Sequence, residues 1–206
     1  MKHYILLLLL ASAFWYCSND EDVVPSNNDR NMFDMPDFSS EEEMKVRRDF
    51  YDATSCYLIF NDSLYYRNIT TPSGSDPECV ILDLKYQVKG TSEDALLRYT
   101  YLKDMKDKEL AAKFAKEKIL PRLAPAFYPY TFFMVDQFYI SKASAWSSGY
   151  DPEVEQSAYA GYNASLVAYK HFYDMDEAAQ YAYSRSVIAI LMTKNYTQVK
   201  DSEYND

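Results

Sequence analysis

Glycine is nearly missing from this chain. Among 206 residues there are four, Gly74, Gly90, Gly149 and Gly161, and no two lie close together. A P-loop or a G-x-G-x-x-G cradle needs clustered glycines so that backbone can approach a phosphate, and none can be built here. Histidine is as scarce, with only His3 and His171. An H-E-x-x-H zinc site needs two histidines one helical turn apart, which this pair cannot supply. No G-x-S-x-G elbow accompanies either one, so a serine hydrolase of that kind is excluded. Positive charge is also in deficit. Twenty-one Lys and Arg face 31 Asp and Glu, for a net charge of -10. A nucleic-acid partner needs a basic footprint that displaces counterions, so none is expected. The ordinary reading of the acidity is solubility. The sequence implies no metal and no cofactor.

What is present is apolar and aromatic. Hydrophobic residues make up 48% of the chain and tyrosine alone accounts for 21 positions. That is enough for one packed domain with a leader and a tether besides. The leader is residues 1–16. Lys2 precedes a run from Tyr4 to Tyr16 with no charged residue. A run of about 13 residues has the length of a signal-peptide core and falls short of the roughly 18–20 that span a bilayer as a helix.

Cys17 closes that run, followed by Ser18-Asn19-Asp20-Glu21-Asp22. The arrangement resembles a bacterial lipoprotein leader, in which the cysteine becomes the lipidated mature N-terminus. The acidic segment is similar to the export tag that gut Bacteroidota place after it. The resemblance implies a palmitate-bearing lipoprotein of the outer membrane, exposed at the cell surface, with the membrane as partner through its lipid. Such leaders prefer a small residue before the cysteine, where this chain has Tyr16. Ala11-Ser12-Ala13 offers a rival A-x-A cleavage site, which would give a secreted or periplasmic protein, and an uncleaved anchor is a third reading.

Residues 17–37 read as an acidic tether, polar and without apolar period, and residues 38–206 as a single domain. Ser40 and Glu43 form a capping-box pattern opening a helix to about Thr54. Residues 56–61 are a short strand. Residues 70–78, with their Pro, Gly and Asp, read as a loop. Residues 80–88 alternate apolar and polar as a half-buried strand does. Leu96, Leu97, Tyr101, Met105, Ala111, Phe114 and Ala115 predict one long helix or two short ones over 93–120, ending at Pro121. Residues 130–140 are apolar on both faces and predict a central strand. Residues 141–153 read as a loop and 162–169 as another strand. Asp174 and Glu177 cap a last helix, whose stretch Val187–Met192 is apolar all round and predicts a buried middle. The class is α+β, with a single mixed sheet of about four strands packed against helices.

Few residues suggest chemistry, and each has an ordinary alternative. Asp136 falls on the same expected strand face as Phe132, Met134, Phe138 and Ile140. A carboxylate there would be desolvated and its pKa raised, as a general acid's is; the ordinary reading is a bulge, a strand end or an ion pair. A glycosidase needs a second carboxylate at a set distance, and Asp83 is a guess among many. His171 reads as structural or surface. Cys56 and Cys79 precede two expected strands. In an exported protein they can pair, closing a loop that would contribute roughly 3 kcal/mol, or they stand apart as buried thiols. Tyr65, Tyr66, Tyr128, Tyr130, Trp146, Tyr150, Tyr159 and Tyr162 lie near loops and strand ends. They read either as a sugar-stacking platform or as half-buried sheet tyrosines. Asp62-Ser63-Leu64 is similar to the O-glycosylation signal of Bacteroidota exported proteins, with Ser63 as its acceptor.

The segment DFYDATSCYLIFNDSL, residues 49–64, resembles the opening of a group of Bacteroidota surface lipoproteins. These accompany starch-utilisation-type importers and carry a zinc-metallohydrolase-like (zincin-like) domain, and the order of elements over residues 40–195 is also similar. In that family the buried helix after the sheet bears H-E-x-x-H. Here residues 183–195 read YSRSVIAILMTKN, so no functional residue carries over. Three readings follow. One is a non-catalytic binding or accessory module in glycan or peptide capture beside an outer-membrane importer. The second is a degenerate or truncated metallohydrolase-like domain, and the third is a structural envelope lipoprotein.

Overall fold

A computed structural model describes residues 31, 33, 39–71, 74–85, 95–144 and 148–203, with side chains for all of these except 65–71, 74–78 and 194–203. The leader, Cys17 and nearly all of the expected tether lie outside the described residues. Helix α1 spans Glu41–Thr54, the extent expected. Ser40 starts it by accepting the Glu43 N–H at 3.2 Å. The reciprocal half of the capping box is not made. The Glu43 carboxylate instead accepts from the Ser39 hydroxyl at 3.2 Å and from Lys108 Nζ at 2.6 Å. Ser55 ends the helix in the left-handed region, as C-terminal caps commonly do.

The strands are β1 (Tyr57–Ile59), β2 (Ser63–Thr71), β3 (Gly74–Ile81), β4 (Ala95–Thr100), β5 (Thr131–Val135), β6 (Gln137–Lys142), β7 (Val154–Glu155), β8 (Ala158–Ala160) and β9 (Ser165–Ala168). Helix α2 covers Met105–Phe114 and continues through a π-helical turn, Ala115–Ile119, into a 3-10 turn, Leu120–Arg122, that contains Pro121. Helix α3 covers Glu177–Glu203. The fold is α+β. Its mixed four-stranded sheet has the order β1-β5-β9-β8, with β1, β5 and β9 parallel and β8 antiparallel to β9. The expectation of a single sheet is too few: a two-stranded sheet (β2-β3) and a three-stranded one (β4-β6-β7) accompany it among the described residues.

Strand β5 decides the layering. Phe132 and Met134 pack into one hydrophobic cluster with Phe50 of α1, Phe114 of α2 and Val187 and Leu191 of α3. Phe133 and Val135 point the other way, into a second cluster with Phe138 of β6 and Leu64, Leu82 and Leu84. Helices thus cover one face of the four-stranded sheet, and the antiparallel elements supply the cover for the other. A strand buried on both faces reads as a near-continuous apolar run, and β5 does from Phe132 to Val135, with the buried Thr131 as its one polar side chain.

Several expected elements are corrected. Residues 130–140 are two strands in two different sheets, broken at Asp136. Residues 95–100, expected as helix, form β4 because they pair with β6 from Ala95↔Lys142 to Thr100↔Gln137. Cross-strand pairing outweighed the helical spacing that Leu97 shares with Tyr101 and Met105. The 70–78 loop is largely the tip and return strand of the β2–β3 hairpin. Pro77 is tolerated there because a two-stranded ribbon has only edges. Of the described residues 80–85, Val80 and Ile81 are strand. Leu82 and Leu84 are buried and Asp83 exposed without sheet pairing, and 86–88 lie outside the described residues. The cap of α3 is Asp176, which accepts the Ala179 N–H at 2.8 Å, while Asp174 belongs to a short 3-10 turn. The helix middle is buried on one side only: Ser184, Val187 and Leu191 are inside, and Ala189 and Met192 are exposed.

Gly161 is the close-approach point of the fold. A Cβ there would sit 2.5 Å from the Ala164 carbonyl oxygen and 2.8 Å from that of Leu84. Both obstacles are backbone, so neither yields cheaply. Gly161→Ala is therefore expected to cost about 2 kcal/mol in urea unfolding, and an unchanged unfolding midpoint would contradict the close approach.

Candidate functional site

The carboxyl ends of the parallel strands converge on a charged corner. Chain leaving β9 turns sharply, with Lys170 and His171 both in the left-handed region at φ 48° and 46°. Non-glycine residues pay a steric penalty there and stay only when their surroundings hold them. The hold is visible. Tyr169 N–H donates to the Val135 carbonyl at 2.7 Å, Lys170 N–H to the Asp136 carbonyl at 3.0 Å and Phe172 N–H to the Tyr169 carbonyl at 3.0 Å.

The turn sets the His171 ring between two acids. Its Nε2 lies 3.7 Å from Asp136 Oδ1 and its Nδ1 lies 3.9 Å from Asp107 Oδ1. These are ion-pair separations for a protonated imidazole, too long for hydrogen bonds. Lys170 beside it pairs with Glu155 at 2.8 Å. Asp136 Oδ1 is shielded from solvent and accepts no hydrogen bond, although its side chain as a whole is 28% exposed. Burial of Tyr183, reinforced by the charges of Glu155 and Asp136, raises its phenol pKa, and burial with Asp107 does the same for Tyr169.

The corner thus brings together two residues that the sequence offered separately, Asp136 and His171. Asp136 sits at a strand break rather than on one strand face with Phe132 and Phe138. The second carboxylate near His171 is Asp107, on the first turn of α2, not Asp83. Asp83 is exposed and accepts the Lys85 N–H at 2.9 Å in a local turn. Nothing in the sequence marked Asp107, since only the fold carries it from α2 to the end of β9. Among the described residues, no cluster of three His, Cys, Asp or Glu side chains is arranged to hold a metal ion.

The tyrosines divide. Tyr159 is buried and Tyr128 half-buried against the core, Tyr150 and Tyr162 are exposed, and Trp146 with the side chains of Tyr65 and Tyr66 lies outside the described residues. Tyr130 joins an aromatic surface, and its companions there are rings the sequence did not single out. The Tyr57 ring centre lies 5.2 Å from that of Tyr130 and 4.7 Å from that of Tyr51. Phe33 stands edge-on to Tyr130 at 5.6 Å. Phe33 is buried, and its carbonyl accepts from the Arg47 guanidinium at 3.2 Å. Tyr51 is 40% exposed and Tyr130 54%. The last turn of α1, the first residue of β1 and the approach to β5 meet here because β1 and β5 start in register, Tyr57 opposite Thr131.

The remaining candidates are ordinary. Cys56 and Cys79 are both free thiols. Cys56 is buried behind α1, and Cys79 stands opposite Tyr66 in the hairpin. The pairing the sequence allowed is absent because the two cysteines do not precede neighbouring strands: Cys79 lies within β3, whose described partner is β2. Burial raises the Cys56 thiol pKa, partly offset by its hydrogen bond with Thr54. Ser63, the glycosylation candidate, opens β2 half-buried, its N–H donating to Asn61 Oδ1 at 2.9 Å. Next to it, Asp62 accepts the Tyr99 hydroxyl at 2.8 Å.

No family model matches this chain, and no curated protein or solved structure matches it either.

Two outcomes follow. In native, unreduced protein, Cys56 should resist alkylation until urea unfolds the chain, and then both Cys56 and Cys79 should label; a pair blocked until reduction would contradict the free thiols. The second concerns alkaline pH. Burial, with the Asp62 carboxylate, pushes Tyr101 from 10.0 to about 12, and burial, with Glu117, does the same for Tyr173. Below pH 10 both the folded and unfolded phenols keep their protons and the native contribution is complete. Between about pH 10 and 12 the unfolded chain releases protons that the native state retains, so stability falls. Tyr101→Phe should flatten part of that fall in a denaturant–pH series, and an unchanged slope would contradict it.

Proposed function

We propose that this chain is an exported surface protein, anchored by lipid at Cys17, that captures glycan without transforming it. The observation carrying this reading is the outward-facing row Tyr51–Tyr57–Tyr130 backed by Phe33. The apolar C–H face of a pyranose stacks on aromatic rings, and phenolic hydroxyls at the rim meet its hydroxyls. Three adjacent tilted rings match a saccharide chain better than an isolated tyrosine does. Tyr51 and Tyr130, exposed on either side of the half-buried Tyr57, form an aromatic patch of the kind that marks an interaction site. Cys17, the acidic stretch after it and the resemblance to importer-associated lipoproteins support the outer-membrane location and an importer as partner. Among the described residues no helix is long and apolar enough to cross a membrane.

The charged corner favours a second reading, an enzyme-like domain in which His171 moves protons between its flanking carboxylates. Among the described residues no hydroxyl or thiol is hydrogen-bonded to His171, whose ring faces only Asp107 and Asp136, so this reading ranks below capture.

Tests separate these readings. Tyr130→Ala should weaken binding of neutral oligosaccharides about tenfold, since an aromatic stack contributes roughly 1 kcal/mol beyond buried area, and should lower the melting temperature by only about 2–4 °C, because the ring is half exposed while packing on Tyr57 and Phe33. His171→Ala should leave the same binding intact. Equal affinity of wild type and Tyr130→Ala, or hydrolysis abolished by His171→Ala, would overturn capture. Palmitate labelling in a native-like host should be lost in Cys17→Ala, and labelling that persists would remove the anchor.

A further inference from the structure

His171 faces a carboxylate with each of its ring nitrogens, Nε2 at 3.7 Å from Asp136 Oδ1 and Nδ1 at 3.9 Å from Asp107 Oδ1. A neutral imidazole carries one N–H donor and one bare nitrogen. Whichever nitrogen is bare then turns its lone pair toward a carboxylate oxygen, and the two repel. Only the imidazolium, with a proton on both nitrogens, meets both acids favourably. The geometry therefore fits one protonation state of the ring.

The three groups come from three places along the chain. Asp107 is on the first turn of α2, Asp136 stands between β5 and β6, and His171 is in the turn that leaves β9. A charged imidazole there ties the start of α2 to the end of the four-stranded sheet. Asp136 depends on it most. Its Oδ1 is shut off from solvent and accepts no hydrogen bond, so water cannot replace a positive charge withdrawn from beside it. The turn is also strained, because Lys170 and His171 both hold left-handed backbone angles, a conformation that persists only while its surroundings enforce it.

The other charges at this corner hold steady near neutral pH. Lys170 is paired with Glu155 of β7 at 2.8 Å. The Tyr169 ring stands 6.0 Å from the imidazole and feels Asp107 and Asp174, while the Tyr183 phenol of α3 feels Glu155 and Asp136. Burial, with those acids, raises both phenols above their ordinary range, so both keep their protons. Carboxylates and lysines ordinarily keep one charge between about pH 5.5 and 8. Imidazole is the side chain that ordinarily changes charge in that interval.

We propose that Asp107, His171 and Asp136 form a pH-operated clamp, closed while the imidazole is charged and released when it is neutral. The native corner favours the bound proton, so the clamp contributes fully at the acid end of the interval and is lost as pH rises through it. The His171 side chain is 56% exposed, and solvent screening limits the effect to a few-fold. Release acts locally. The cores on the two faces of β5 do not include these three side chains, so the strained turn and the start of α2 loosen while the rest of the fold stays closed. The clamp needs no ligand and is independent of the capture reading.

Urea unfolding of the mature chain between pH 5.5 and 8, beside variants of the three residues, tests this. His171→Asn removes the charge without forcing the turn, because Asn tolerates left-handed angles. The ratio of wild-type to His171→Asn folding constants should fall about three- to fivefold from pH 5.5 to pH 8. The same fall, measured for wild type against Asp136→Asn, should appear although that variant keeps the histidine, and Asp107→Asn should show it more weakly. Trypsin cleavage after Lys170 reads the local opening. Asp136→Asn should be cut several-fold faster than wild type at pH 6 and at nearly the same rate at pH 8. A stability ratio that stays flat across the interval in all three comparisons would overturn the clamp. So would cleavage at Lys170 that is equal in wild type and Asp136→Asn at pH 6.

Discussion

Burial of β5 on both faces is the constraint on which the rest of the structure depends. Five consecutive residues, Thr131 to Val135, are inaccessible, and alternate side chains serve two separate cores. At roughly 25 cal/mol per Å² of apolar surface, each phenylalanine in that strand contributes more than most surface contacts together. Because β5 needs cover above and below, the chain must supply helices for one face and antiparallel strands for the other. Because β5 pairs with β1 on one side and β9 on the other, both ends of the parallel sheet become places where distant segments meet.

The two candidate surfaces follow from those ends. Where β1 and β5 start, Tyr57 and Tyr130 are brought side by side, and the end of α1 adds Tyr51. Where β5 and β9 stop, Asp136 and His171 come together, and α2 adds Asp107. The first end is aromatic, outward-facing and suited to stacking. The second is charged and held by a strained turn, and burial, with its acids, raises the phenol pKa values of Tyr169 and Tyr183 around it. The Tyr99–Asp62 hydrogen bond ties β4 to the start of the hairpin and belongs to the fold rather than to either surface.

The parts of the fold legible in the sequence were those set by local chemistry. Ser40 as a cap, the extent of α1 and the double-sided apolar run of 132–135 all follow from residues close in sequence. What escaped depended on partners far along the chain. Leu96 and Leu97 have helical spacing, but pairing with Ile140 and Ser141 makes them strand. Leu82 and Leu84 alternate with polar neighbours as a strand would, yet they are buried without pairing because Gly161 lets the Leu84 carbonyl approach. The break at Asp136 was invisible because both flanking segments are apolar. The candidate surfaces were less legible still. Asp136, His171 and Tyr130 stood out, but Asp107, Tyr51 and Tyr57 carry no sequence signal apart from their residue type. Proximity alone gives them meaning.

The proposed capture function rests on an aromatic row whose rings hold one another in place, with Phe33 and Arg47 bracing it from behind. The most direct measurement is an amide shift map of the isotopically labelled mature chain titrated with neutral oligosaccharides. The account predicts saturable shifts confined to residues around Tyr51, Tyr57 and Tyr130. Shifts centred instead on Asp107, Asp136 and His171 would contradict it.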